Sequence, residues 1–199
     1  VPHEDFVTAF VEDTGTPVPD RPLNEQDPIC TDGKTVARIM IPKGELDFRS
    51  LKRIAELSEK HGDKYVYTTN RQNIELHGVE PEKLDEVNAE IARLPVATGT
   101  FFGLDDVVVC VGTTYCKLAV SETRRMYDLL QSVVKQKKYD PIREKVLINI
   151  TGCPNSCSPY YIADIGLRGL RMREKQGSAE GYQIRLGGIG RVDGGHLDA

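Results

Sequence analysis

Residues 35–62, TVARIMIPKGELDFRSLKRIAELSEKHG, open with a β-branched run, TVARIMI, that has the character of a strand and is ended by Pro42-Lys43-Gly44. Asp47 can cap a helix in which Leu51, Ile54, Ala55 and Leu57 recur at helical spacing until Gly62 closes it. Downstream, KYVYTT (64–69) and NIELHG (73–78) read as two short strands joined through Asn70, Arg71 and Gln72. Leu84, Val87, Ile91 and Leu94 then mark an amphipathic helix. The order strand, helix, strand, strand, helix is most of one α+β sandwich of the ferredoxin-like kind, with both helices on one face of the sheet. A four-stranded version needs another strand, from this chain or from a neighbour.

On the N-terminal side, the first 33 residues carry Pro17, Pro19, Pro22 and Pro28 among scattered acids, a composition that favours an extended arm able to wrap a neighbour. On the C-terminal side the pattern restarts after Pro95. DVVVC (106–110) reads as an apolar strand, and a long helix carrying Leu118, Met126, Leu129, Leu130, Val133 and Val134 follows. KVLINI (145–150) is a second buried strand, and YYIADIGLRGL (160–170) reads as helix or strand, punctuated by Gly166 and Gly169. The expected organisation is an arm over 1–33, a ferredoxin-like half-domain over 34–96 and an α/β module over 97–199. The tail offers one strand and then glycines, but GGIG (187–190) lacks the spacing of a dinucleotide fingerprint and no convincing helix follows it.

Composition narrows the function classes. The 199 residues amount to 22.2 kDa, enough to bury a core, with 39% hydrophobic and 28% charged residues and a mean hydropathy of −0.37. The formal charge of −4 and pI near 5.6 lack the basic excess of a nucleic-acid binder. Lys135, Lys137 and Lys138 read as a solvated face near a helix end. No apolar run approaches the length of a membrane span, and VPHEDFVTAF lacks the order of a secretory leader, so a cytoplasmic protein is expected.

The five cysteines form an uneven set. Cys110 and Cys116 enclose five residues, Cys153 and Cys157 enclose three, and Cys30 stands alone as an ordinary thiol at a turn. Each pair falls where a buried strand ends, the place where open α/β layers usually bind ligands. Four thiolates from two loops suit an iron-sulfur cluster, a zinc ion, or no metal at all if the cysteines are simply core. The first gap is long for a zinc knuckle, and the 36 residues between the pairs contain a helix, which a larger cluster tolerates better.

CVGTTYCKLAVSET (110–123) and NITGCPNSCSPYYIADIGLRGL (149–170) closely resemble the two cysteine segments of the sulfite and nitrite reductase haemoproteins. TTNRQNIELHG (68–78) resembles the stretch those enzymes place beside sirohaem, and with RIMIPKG (38–44) the likeness runs from about Thr35 to Gly188. The resemblance implies a [4Fe-4S] cluster on Cys110, Cys116, Cys153 and Cys157, with Cys157 shared with sirohaem iron. It implies an α+β fold in which the half-domain is followed by an α/β iron-sulfur/sirohaem-binding module. It also implies six-electron reduction of sulfite to sulfide or nitrite to ammonia, with electrons from a ferredoxin-like donor or a reductase subunit. A helix starting after Cys157 would stabilise that thiolate through its exposed amides.

Sirohaem is rich in carboxylates, so its pocket should gather cations. Arg71, in the matched turn, and Lys117, immediately after Cys116, are the expected catalytic cations, and Arg38 joins them in holding the cofactor. Asn155 can offer an amide to sulfide or to a ring carboxylate, and Pro154 fixes the backbone beside it. Arg124, Arg125 and Lys43 are weaker candidates, and His77 reads as structural. The family's common enzymes contain two related halves, whereas only one copy of each element is found here. A homodimer, or pairing with a homologous subunit, would complete the sheet and supply part of the pocket. The rival readings are a noncatalytic electron-transfer subunit and a four-cysteine zinc interaction module.

Overall fold

In the computed structural model the described residues are 33–96, 101–174, 177–187 and 197–198. The expected N-terminal arm, with Cys30, and most of the GGIG segment lie outside them.

The first unit is built on β1 (Thr35–Ile39), β2 (Tyr67–Thr68) and β3 (Ile74–Val79), all antiparallel in the order β1-β3-β2. Alternation along β1 and β3 turns Ala37, Ile39, Ile74 and Leu76 toward α1 (Phe48–His61) and α2 (Leu84–Ile91). Ile54 and Leu57 of α1 and Val87 and Ile91 of α2 close this core. Asp47 caps α1, its carboxylate accepting from the Arg49 and Ser50 N–H groups, and Gly62 ends it. The helix order and the shared face are those the spacing predicts. Among the described residues the sheet stops at three strands.

The second unit is a five-stranded sheet, β4 (Val108–Val109), β5 (Ile148–Thr151), β6 (Ile165–Glu174), β7 (Gly177–Leu186) and β8 (Leu197–Asp198), in chain order. β4, β5 and β6 run parallel, and the β6–β7 hairpin and β8 are antiparallel. After the single turn α3 (Gly112–Tyr115), the helix α4 (Thr123–Val134) packs Tyr127 and Val134 on Val109, Ile148, Ile150 and Leu167.

Three sequence expectations change. Leu118 lies before α4 and is exposed, because the helix begins only at Thr123, where Glu122 caps it. Leu51 and Leu129 face outward, so the apolar stripes of α1 and α4 are narrower than their leucine counts suggest. Among the described residues no α-helix follows Cys157. One 3₁₀ turn (Tyr160–Ile162) leads into β6, whose parallel ladder with β5, from Ile148 opposite Ile165 to Thr151 opposite Arg168, takes the backbone hydrogen bonds a helix would have used. Helix-dipole stabilisation of the Cys157 thiolate is therefore withdrawn.

Candidate functional site

The register of β4 and β5 decides where the cysteines stand. Val109 lies opposite Ile150, so Cys110 and the Gly152–Cys153 turn leave adjacent strands at the same end of the sheet. The Cys110 N–H donates to the Ile150 carbonyl at 3.1 Å, and its Sγ accepts from the Gly152 N–H at 3.1 Å. The Gly152 carbonyl in turn accepts from the Val120 N–H at 2.9 Å, so the loop that carries Cys116 is laced to the loop that carries Cys153. Cys116 ends the α3 turn, donating its N–H to the Gly112 carbonyl.

Polar side chains hold these loops where no ladder can. The buried Thr123 hydroxyl donates to the Cys110 carbonyl, and the buried Ser158 hydroxyl donates to the Val108 carbonyl at 3.0 Å. Ser156 sits in the left-handed region at φ 56°, turning the chain between Cys153 and Cys157. The Glu122 carboxylate accepts from the Thr113 and Thr114 hydroxyls at 2.7 and 2.9 Å and from the Arg124 N–H. Burial pushes the Glu122 carboxyl up, but these hydrogen bonds outweigh it and hold the group below the usual range.

All four cysteines are free thiols, with Cys153 buried, Cys110 and Cys116 half-buried and Cys157 exposed. Among the described residues no three His, Cys, Asp or Glu side chains crowd closely enough to hold one ion. Apolar surface flanks the loops, with Tyr115 70% and Leu118 68% exposed. Four free thiols on two laced loops, flanked by exposed apolar side chains, are a donor set that a [4Fe-4S] cluster would take.

The cations divide. Arg71 donates from Nε to Asp106 Oδ2 at 2.7 Å and from a terminal nitrogen to the Asp106 carbonyl at 2.6 Å, with its guanidinium 5.6 Å from the Phe102 ring centre. Arg38 faces its cross-strand neighbour Glu75 at 3.1 Å, so the anion that a charge in an apolar strand requires comes from the sheet itself. Arg38 and Arg71 line one small pocket of about 90 Å³ with Asn73, Glu75, Phe102 and Asp106. Lys117 and Asn155 are exposed on the two cysteine loops. Lys43 pairs with Asp128, Arg124 with Glu45, and Arg125 is exposed. His77 stacks on Tyr67 at 4.1 Å and meets Glu75 at 3.1 Å.

Four residues that sequence reasoning left out organise the site: Gln72, Asn73, Asp106 and Glu122. Asn73 Nδ2 donates to Asp106 Oδ1 at 2.8 Å and its Oδ1 accepts from the Ile41 N–H. Asp106 is 3% exposed. An acid at the mouth of the apolar run DVVVC is a readable signal, because a buried carboxylate demands partners.

Residues 31–94 match the family model of the nitrite/sulfite reductase ferredoxin-like half domain. Residues 103–196 match that of the nitrite and sulphite reductase 4Fe-4S domain. The chain is 33% identical over 146 residues to sulfite reductase (ferredoxin) 2 of Mycolicibacterium paratuberculosis, covering 71% of this chain and 26% of that protein. It is 33% identical over 164 residues to a ferredoxin–nitrite reductase of Synechococcus elongatus, covering 78% and 30%. Among solved structures, the NirA protein of Mycobacterium tuberculosis shares the fold with a TM-score of 0.71 at 24% identity, over 89% of this chain and 33% of that one. Dissimilatory sulfite reductase I follows with a TM-score of 0.57 at 18% identity, over 71% and 34%. The chain thus spans about a quarter to a third of the length of these relatives.

Proposed function

Because the chain belongs to the nitrite and sulfite reductase family, its half-domain and its 4Fe-4S domain both matched, we propose that it serves the six-electron reduction of sulfite or nitrite with a [4Fe-4S] cluster and sirohaem. The observation that carries the reading is the convergence of two cysteine pairs on the ends of the adjacent parallel strands β4 and β5. Cys110, Cys116, Cys153 and Cys157 would hold the cluster, and Cys157, which is exposed, would be the ligand shared with the sirohaem iron. Those groups, when bound, supply electron storage and a metal that takes the sulfur or nitrogen of the anion.

The chain's own residues do the rest. The Gly152 N–H donates to Cys110 Sγ, the kind of hydrogen bond to a ligand sulfur that would tune a bound cluster. Tyr115 and Leu118 offer an apolar rim that limits water around the thiolates once covered. Lys117 brings an exposed positive charge beside Cys116, where it attracts the anionic substrate or a ring carboxylate. Arg71 serves the same end with the one guanidinium nitrogen not bonded to Asp106, and Arg38 and Asn155 complete the cofactor contacts. Electrons come from an external ferredoxin-like carrier or a reductase subunit. Pairing with a second copy or a homologous subunit would supply the remaining pocket wall. No helix among the described residues is long and apolar enough to cross a membrane, and a cytoplasmic site of action is part of this reading.

The test is turnover with a chemical reductant, scoring sulfide from sulfite and ammonia from nitrite. Lys117→Ala should raise KM for the anion at low ionic strength more than it lowers kcat. A holoprotein that binds either anion at its iron yet produces neither product is an electron-transfer subunit, and the catalytic reading fails.

A further inference from the structure

Gln72 lies at the tip of the turn between β2 and β3, in the left-handed region at φ 65°. Its Nε2 donates to the Val109 carbonyl at 2.8 Å, and its Oε1 accepts from the Val109 N–H at 3.0 Å. Val109 is the last residue of β4, is 1% exposed and directly precedes Cys110. Among the described residues β4 is the edge of its sheet, with β5 on one side only. Cys110 donates its N–H to Ile150 of β5, while the N–H and carbonyl of Val109 go to Gln72 on the open side. One carboxamide thus stands in for the missing neighbouring strand, since a primary amide carries a donor and an acceptor on one planar group. Without it, a buried backbone donor and acceptor would lie unpaired at a sheet edge.

The anchor is itself fixed. The Gln72 N–H donates to the Thr69 carbonyl, and the flanking Arg71 and Asn73 both grip Asp106. Gly44 lies beside the Gln72 side chain, at a distance where a Cβ there would make ordinary contact with Nε2. The turn therefore transmits the position of the first unit to the residue from which the first cysteine departs.

We propose that Gln72 is a positioning residue of the metal centre: it sets the departure of Cys110 from β4 and so holds that thiolate in register with the loop bearing Cys153 and Cys157. This rests on the reading of the four cysteines as cluster ligands. Gln72 bonds Val109 and not a cysteine, so its removal changes ligand geometry while leaving the ligand set intact.

The experiment compares the anaerobically purified holoprotein with Gln72→Met, which keeps the length but loses both hydrogen bonds, and with Gln72→Glu. The readouts are iron and sulfide content, the electron paramagnetic resonance spectrum and midpoint potential of the reduced cluster, and amide exchange at Val109 and Cys110. Gln72→Met should keep its iron and sulfide, shift the resonance and the potential, and raise exchange at the two amides roughly tenfold or more. Gln72→Glu keeps an acceptor for the Val109 N–H but faces the Val109 carbonyl without a proton. It should show the same shift at neutral pH and recover toward wild type as acidification protonates the carboxyl, a rescue a merely space-filling residue would not give. If Gln72→Met does not fold, the pH rescue of Gln72→Glu decides the matter. A wild-type cluster whose resonance, potential and amide exchange are unchanged in both variants overturns the proposal. A wild-type protein without iron or sulfide overturns the cluster reading instead, and the exchange measurement still reports on Gln72.

Discussion

The two units are held by different physics. The first closes a core of Ala37, Ile39, Ile54, Leu57, Leu76 and Val87 between a sheet and two helices, and its helix ends are capped locally by Asp47 and Gly62. The second has its core on the α4 side, around Tyr127, Val134, Ile148, Ile150 and Leu167. At the cysteine end it relies on single side chains instead: Asp106, Thr123, Ser158, Glu122 and the Gln72 carboxamide. Beyond the ends of β4 and β5 the ladder between the two strands runs out. Individual hydrogen bonds to backbone groups take over that work, which concentrates fragility in a few positions.

The sharpest way to break this contrast is Asp106→Ala. It strands Arg71, Asn73 and the Phe102 N–H at a buried site, so it should cost about 3–5 kcal/mol in urea unfolding. A loss no larger than that of an exposed substitution would show that the clasp is dispensable. Ile54→Ala, in the fully buried core of the first unit, should cost about 2–4 kcal/mol while leaving the visible spectrum of the folded protein unchanged. Loss of the chromophore at matched folded fraction would merge the two regions. Gly112→Ala comes next. Gly112 is at φ 60° between two cysteines, and a Cβ there would lie 2.5 Å from Thr123 Oγ1. The variant should lose about 1–3 kcal/mol and retain less iron on dialysis against a chelator.

The smallest effect is expected at Glu122. Its folded carboxyl is held below the ordinary value of 4.5, so its contribution is full above that value and is lost as pH falls through the lowered one. Glu122→Gln should flatten the acid limb of the stability profile in that window and cost about 0.5–1 kcal/mol at neutral pH. A profile identical to wild type would remove Glu122 from the loop's support.

The first unit was legible because its signals are local. Helical spacing in 48–61, the Asp47 cap and the two short strands around Asn70–Gln72 each declare themselves within a few residues. The cysteine loops were legible only in position, as the ends of apolar runs. Their supports join residues far apart in sequence, as Arg71 to Asp106 and Gln72 to Val109 do, and no periodicity marks such a pair. The segment after Cys157 misled because its local pattern left helix and strand open, and the choice was made by pairing with β5. Arg38 meets Glu75 across the strand, a pairing that its place in an apolar strand did not disclose.

The central claim is that two strand-end loops seat an iron-sulfur cluster whose exposed ligand, Cys157, is shared with a tetrapyrrole. The direct test is the iron, acid-labile sulfide and tetrapyrrole content of the anaerobically purified chain, measured beside Cys157→Ser. The account predicts all three in the wild-type protein and an uncoupled or depleted tetrapyrrole in the variant. A wild-type protein containing zinc alone, or neither sulfide nor tetrapyrrole, would contradict it.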